Sequence, residues 1–276
     1  MTTSTLTRVE RIDYTNHIGT ELPGLQLLDL DDAGIAEIQQ LVAERGVLFF
    51  RNQEMTLDQQ VELGRRMGKL HTHPAAKGPE GYPEVLLVHT DANSKYTAGE
   101  AWHTDVSCEE EPPALSMLRV EVVPPIGGDT LWSSQYAIFD LLSEPMKEFV
   151  LARDALHTSE AAYTGKYGMN EIKTPSAIHP MVRTHPATGR KALYVNSGFT
   201  TRIKGVTRRE SDALLKMLFD HIAYEVECQV RFRWEANSVA LWDNRCAQHY
   251  ASWDYFPETR TGYRVTTIGE RPFLDS

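Results

Sequence analysis

The sequence predicts an α+β protein whose core is a jelly-roll barrel, with helices flanking it. Short apolar or alternating runs bounded by turn residues recur along most of the chain, as strands of a β core do. Only a few segments carry helical periodicity, so helices lie outside that core rather than forming it. Two histidine-bearing motifs, one ending at Asp105 and one at His249, lie 144 residues apart. A closed β fold is a natural way to bring them together.

The elements follow in order. Ile35, Ile38, Leu41 and Val42 recur at helical spacing and predict a helix over Asp32–Arg45, leading into Val47-Leu48-Phe49-Phe50, a buried strand. Thr56 followed by Gln59 is a capping-box pattern for a helix through about Met67. Val85–Val88 and Ala114–Val123 read as strands, and the polar, turn-rich remainder of Gly78–Gly99 as a loop region. A short helix follows Ser143, and Ala161–Pro175 reads as a loop or lid. His179–Thr184 and Ala192–Asn196 flank Pro186-Ala187-Thr188-Gly189 and predict a hairpin. Thr207 with Glu210 caps a helix to about His221. Val230, Phe232 and Trp234 alternate with arginines, a half-buried strand pattern, and Val239–Trp242 and Tyr263–Ile268 close the fold. No repeat or linker divides the chain, so one domain over residues 1–276 is expected.

Composition narrows the function classes. A formal net charge of −10 and a pI near 5.5 argue against general nucleic-acid binding, which favours a basic face. No apolar run approaches the roughly 18 residues of a membrane span, and the first residues lack the apolar core of a secretory signal. Cys108, Cys228 and Cys246 form no paired framework, which fits reduced thiols in a cytoplasmic protein.

The most informative residues are Trp102-His103-Thr104-Asp105 and Arg245-Cys246-Ala247-Gln248-His249. Residues two apart at a strand end share a face, so His103 and Asp105 can hold one ion, and His249 completes a facial triad. Two imidazoles and one carboxylate suit non-haem Fe(II) and leave three coordination positions open. An isolated H-x-D is a weak signal, more often a surface histidine beside a turn residue; the full series with later arginines is strong. Arg260 follows His249 by 11 residues, and Arg264 by four more, an even interval that puts both on one side of a strand. A guanidinium can grip a carboxylate through two parallel hydrogen bonds.

These blocks closely resemble the taurine dioxygenase family of Fe(II)- and 2-oxoglutarate-dependent oxygenases. The matching segments are W-H-T-D at 102–105, G-G-D-T-L-W at 127–132, G-F-T-T-R-I at 198–203 and W-D-N-R-x-x-x-H-Y-A-x-x-D-Y at 242–255, within a likeness from about residue 20 to Phe273. The resemblance implies a double-stranded β-helix core and assigns His103, Asp105 and His249 to iron. It implies that Arg260 and Thr130 hold the co-substrate 2-oxoglutarate, and that Arg264 meets an anionic group of the substrate. His73, in the L-H-x-H-P block, and Phe199 line the pocket by the same likeness, and Tyr163 is a further candidate wall. Each imidazole is also expected to donate its second N–H to an oxygen. Homo-oligomers are common in the family, and no segment fixes one here.

Two departures bear on the substrate. Gly99 stands where taurine dioxygenase has a substrate-bonding asparagine, and Ala76 where it has a tyrosine. Fewer polar walls point to an anionic small molecule bulkier or more apolar than taurine, a sulfonate or sulfate ester first, an aryloxyalkanoate carboxylate second. The implied reaction with O2 gives succinate and CO2 while a C–H bond is hydroxylated. Competing readings are weaker. Asp105 fills the position a halogenase leaves for halide, and an O2-independent hydrolase or a binding module has no use for Arg260 and Thr130. His71, His89, His157, His179, His185 and His221 receive no role. Cys108 and Cys246 read as packing residues and Glu109–Glu111 as a solvated loop.

Overall fold

Residues 9–74, 76, 78–97, 99–160 and 175–275 are described by a computed structural model. The first half contains β1 (Ile12–Asp13), β2 (Thr20–Glu21), α1 (Asp32–Arg45), β3 (Val47–Phe50), α2 (Leu57–Met67), β4 (Val85–Thr90), β5 (Pro113–Val122) and β6 (Thr130–Ser134). After α3 (Gln135–Asp140) and α4 (Glu144–Leu151) come β7 (Asp154–Thr158), β8 (Ser176–Pro180), β9 (Val182–Thr184), β10 (Lys191–Leu193) and β11 (Thr200–Ile203). The chain closes with α5 (Arg208–Tyr224), β12 (Gln229–Phe232), β13 (Ser238–Asp243), β14 (Ala247–Ala251) and β15 (Arg260–Ile268).

The predicted helix boundaries rest on real caps. Asp31 accepts from the Gly34 N–H at the start of α1, and Thr56/Gln59 and Thr207/Glu210 both close reciprocal capping boxes. Each box satisfies two backbone donors that the first helical turn leaves open.

A seven-stranded sheet runs β1-β2-β3-β13-β5-β15-β4, and a three-stranded sheet, β12-β6-β14, packs against it. Strand alternation explains how the large sheet is buried on both sides. Leu48 and Phe50 of β3, with Val239 and Leu241 of β13, join α1 and α2 in one core. Val47 and Phe49, with Ala240 and Trp242, face the small sheet's Trp132, Val230 and Phe232 in another. Phe49 stacks on Phe232 at 4.1 Å, an arrangement that adds to plain burial. A third core joins α3, α4 and α5 to β7, β9, β10 and β11.

Several expectations change. His179 does not continue into the predicted hairpin: it lies on β8, paired with β7, while β9 alone pairs with β10. The pairing changes side at Met181, whose backbone N–H bonds to Arg153 O beside β7 while its carbonyl accepts the Tyr194 N–H beside β10. The 103–105 segment is not a regular strand end: His103 makes a single bridge to His249, and Val106 follows with φ of +44°. That left-handed turn, costly for a β-branched residue, sends the chain away directly after Asp105. Trp234 lies beyond β12, and α3 and β7 had no clear periodic signal. Tyr163 and the 161–174 part of the expected lid lie outside the described residues. Among the described residues no helix is long and apolar enough to cross a membrane.

Candidate metal centre and anion pocket

The two sheets meet over a cavity of about 410 Å³, and every described residue assigned to the site by sequence lines it: His73, His103, Asp105, Thr130, Phe199, His249, Arg260 and Arg264. The small sheet supplies Thr130 from β6 and His249 from β14, where His249 lies opposite Trp132. The large sheet supplies both arginines from β15. His103 is fastened beside β14 by two backbone bonds to His249, of 3.1 and 2.8 Å.

His103, Asp105 and His249 converge. Their candidate ligand atoms lie within 4.8 Å of one another, and Nε2 of each histidine is 3.9 Å from the same oxygen, Oδ1 of Asp105. Nδ1 of His103 bonds to Ala101 O at 2.7 Å, which leaves its Nε2 lone pair for the cavity. The same expectation does not hold for His249, whose buried Nδ1 has no partner among the described residues. Burial lowers the pKa of both imidazoles, so both are neutral, the form that can ligate a metal. Burial alone would raise Asp105; the Arg264 guanidinium, helped by the Ser116 hydroxyl, outweighs it and holds the carboxyl well below the usual range. A neutral, neutral, anionic donor set of this kind fits a divalent ion such as Fe(II).

Arg260 sits deeper. It is 4% exposed, and its Nε and Nη2 have no hydrogen-bond partner among the described residues. Its guanidinium carbon lies 5.4 Å from the centre of the Trp234 ring, and burial lowers its pKa. Thr130 Oγ1 accepts from Trp234 Nε1 at 3.0 Å, so the hydroxyl proton remains to be donated. A buried cation with unanswered donors calls for an anion, and a carboxylate of 2-oxoglutarate fits that demand.

The rest of the cavity is lined differently. Arg264 Nη1 donates to Asp105 Oδ1 at 2.6 Å, while its buried Nε has no partner among the described residues. His73 Nδ1 accepts the Ala76 N–H at 2.9 Å, so a neutral ring carries its proton on Nε2. Burial, then Arg264, pushes the pKa of His73 down to about 3, making it a neutral polar wall rather than a second cation. Leu86, Val88, Leu118 and Phe199 supply apolar wall. Gly99 has φ of +91°, and a β-carbon there would approach His103 Cε1 to 3.2 Å. Gly198 also packs on His103; a β-carbon would come within 2.9 Å of its Cβ.

Two residues important to the site had no assigned role in the sequence reading. Ser116 Oγ donates to Asp105 Oδ2 at 2.7 Å, and Asn244 Nδ2 donates to Ser116 Oγ at 2.9 Å. Asn244 belongs to the W-D-N-R segment, which was the available signal; Ser116 is one small residue inside a strand and offered none. Glu109 is not purely a solvated loop residue, since its Oε2 lies 2.8 Å from Nε2 of the buried His71. His185, Asp243 and Cys246 form a second buried group of potential donors. There Asp243 is already bound by Arg245 at 2.6 and 2.8 Å and by His185 at 3.0 Å, a structural latch under the β13–β14 turn.

The chain as a whole is similar to known proteins. The chain is 37% identical over 276 residues to the alpha-ketoglutarate-dependent sulfonate dioxygenase of Saccharomyces cerevisiae, covering 95% of this chain and 67% of that one. It is 36% identical to the alpha-ketoglutarate-dependent sulfate ester dioxygenase of Pseudomonas putida, over 92% of this chain and 88% of the relative. A crystal structure of a taurine dioxygenase from Burkholderia xenovorans superposes with a TM-score of 0.84 at 36% identity, covering 96% and 91% of the two chains. The profile of the taurine catabolism dioxygenase TauD, TfdA family matches residues 10–266, and the chain belongs to that family.

Proposed function

We propose that this protein is an Fe(II)- and 2-oxoglutarate-dependent dioxygenase that oxidises a small organic sulfonate or sulfate ester. The observation that carries the reading is the convergence, in one cavity, of the His103/Asp105/His249 cluster with buried Arg260, whose Nε and Nη2 have no hydrogen-bond partner among the described residues. Family membership supports it, as do relatives named for sulfonates and sulfate esters. One domain built on a double-stranded β-helix, with the large and small sheets as its two walls, is the matching reading of the fold.

His103, Asp105 and His249 would hold Fe(II), with Arg260 and Thr130 holding the distal carboxylate of 2-oxoglutarate. Bound there, iron supplies the redox chemistry that couples decarboxylation of 2-oxoglutarate by O2 to hydroxylation of a substrate C–H bond, releasing succinate and CO2. The chain's own contribution is positioning and exclusion. Arg264 presents a cation to the substrate anion, His73 adds a polar contact without charge, and the apolar wall keeps bulk water from the reacting carbon. Placing the anion beside the metal cluster directs oxidation to the carbon that bears it. Hydroxylation at that carbon gives an unstable adduct that releases sulfite or sulfate and leaves a carbonyl product.

Oxygen consumption that requires Fe(II), 2-oxoglutarate and an alkyl sulfonate or alkyl sulfate together is the expected result. Oxygen uptake indifferent to 2-oxoglutarate would contradict the proposal. Aryloxyalkanoates and taurine belong in the same screen, read by succinate release.

A further inference from the structure

We infer that Asn244, acting through Ser116, fixes which oxygen of Asp105 is presented to the two histidines. The inference rests on the reading of His103, Asp105 and His249 as a metal site.

The polarity of the Asn244 side chain follows from its neighbours. The Asp105 backbone N–H at 3.1 Å and the Trp242 indole N–H at 3.0 Å both reach one amide atom, Oδ1. Both are obligate donors, so that atom must be the oxygen and the NH2 must face the other way. There it meets Ser116 Oγ at 2.9 Å. An NH2 can only donate, so Ser116 accepts from it and keeps its own proton for Asp105 Oδ2, 2.7 Å away. Asn244 is 2% exposed and Ser116 fully buried, so water does not compete for these bonds. Thr104 Oγ1 donates to Asn244 O at 2.6 Å and the Asn244 N–H to Ala114 O at 2.8 Å, tying the amide to the H-x-D loop and to β5.

The consequence falls on the carboxylate. Asn244 holds the Asp105 backbone on one side, and through Ser116 it holds Oδ2 on the other. Oδ1 is the oxygen that faces both Nε2 atoms at 3.9 Å, and it also accepts from Arg264 Nη1 at 2.6 Å. A carboxylate so divided ligates through one oxygen. If both oxygens were free to bind, one of the three positions that a facial triad leaves open for co-substrate and O2 would be taken. Ser116 and Asn244 are therefore positioning residues that protect an open coordination position.

Co(II) alone, titrated into the purified full-length protein and followed by its visible d–d absorption, tests this without turnover. Ser116→Ala frees Oδ2, and Asn244→Asp removes the donor while retaining an acceptor for both N–H groups. Each should weaken Co(II) binding by roughly 10–100-fold, the usual effect of losing an outer hydrogen bond to a ligand. The band of Ser116→Ala should also change shape as a second carboxylate oxygen replaces a water, a change that a packing defect would not produce. Thr266→Val removes the other hydroxyl near Ser116 Oγ, 3.3 Å away, and should bind Co(II) like wild type. Wild-type affinity and spectrum in Ser116→Ala would overturn the inference, as would equal weakening in all three variants. Asp105→Ala separates the two levels: undiminished Co(II) binding there would refute the metal site itself.

Discussion

Arg264 donates to Asp105 through Nη1 at 2.6 Å, so the arginine expected to meet the substrate anion is ion-paired with a candidate iron ligand. The pair has a physical cause. Asp105 is nearly inaccessible, and an isolated carboxylate there would be expensive to bury. Arg264 answers that charge while its Nε, without a partner among the described residues, remains for another acceptor. One guanidinium thus links the candidate metal ligands to the place where a substrate anion would bind.

Arg264→Ala is therefore best tested as a ratio. Truncating one partner of a buried charge pair typically costs about 2–5 kcal/mol, or thirtyfold and more. Comparing kcat/KM for matched anionic and neutral substrates cancels any general effect on the metal site. The anionic-to-neutral preference should fall by roughly thirtyfold or more in the variant. An unchanged preference would show that the anion is held elsewhere.

Arg260→Ala should weaken 2-oxoglutarate binding by about thirtyfold or more, since it removes the buried cation whose Nε and Nη2 have no partner among the described residues. Thr130→Ala removes one hydroxyl, a contribution of about 1 kcal/mol, and should cost less than about tenfold. Titration with 2-oxoglutarate under anaerobic conditions checks both. Equal affinities in wild type and Arg260→Ala would reassign the carboxylate.

The reach of the sequence was set by the range of the interactions involved. Capping boxes, apolar periodicity and the order of motifs are local signals, and they located α1, α2, α5, β3 and the triad. The expected gathering of His73, Thr130, Phe199 and both arginines came from the family resemblance, and the cavity does contain them. What escaped depends on tertiary partners. Nothing around Val106 marks a left-handed turn, so the H-x-D segment looked like a strand end. His179 reads as part of a hairpin until β7 competes for it. Arg264 looked free because its partner, Asp105, lies 159 residues earlier.

Gly99→Ala should be disproportionately harmful for so small a change. Its φ of +91° disfavours any side chain, at roughly 1–2 kcal/mol, and the added carbon presses on the His103 ring. A lower denaturant midpoint together with weaker Co(II) binding is expected. If both match wild type, Gly99 is a spacer rather than a constraint on the ligand.

Acid should destabilise the fold before its carboxylates protonate. Burial, then neighbouring His179, lowers His157 to about 3 from its ordinary value near 6.5. Between those values the unfolded chain binds a proton that the folded chain refuses, so stability falls as pH drops through that window. It is unaffected by this group above about pH 6.5. His157→Asn should flatten the dependence of unfolding free energy on pH between about 6 and 4, by close to one proton. An identical slope in the variant would mean that His157 does not titrate in that window.

The central claim is that His103, Asp105 and His249 form the iron site of a 2-oxoglutarate-dependent oxygenase. Its most direct test is succinate formation by wild type and Asp105→Ala, with Fe(II), 2-oxoglutarate, O2 and an alkyl sulfonate or sulfate. Wild type should release succinate in step with substrate oxidation, and Asp105→Ala should release none while remaining folded by circular dichroism. Full turnover by folded Asp105→Ala would contradict the account.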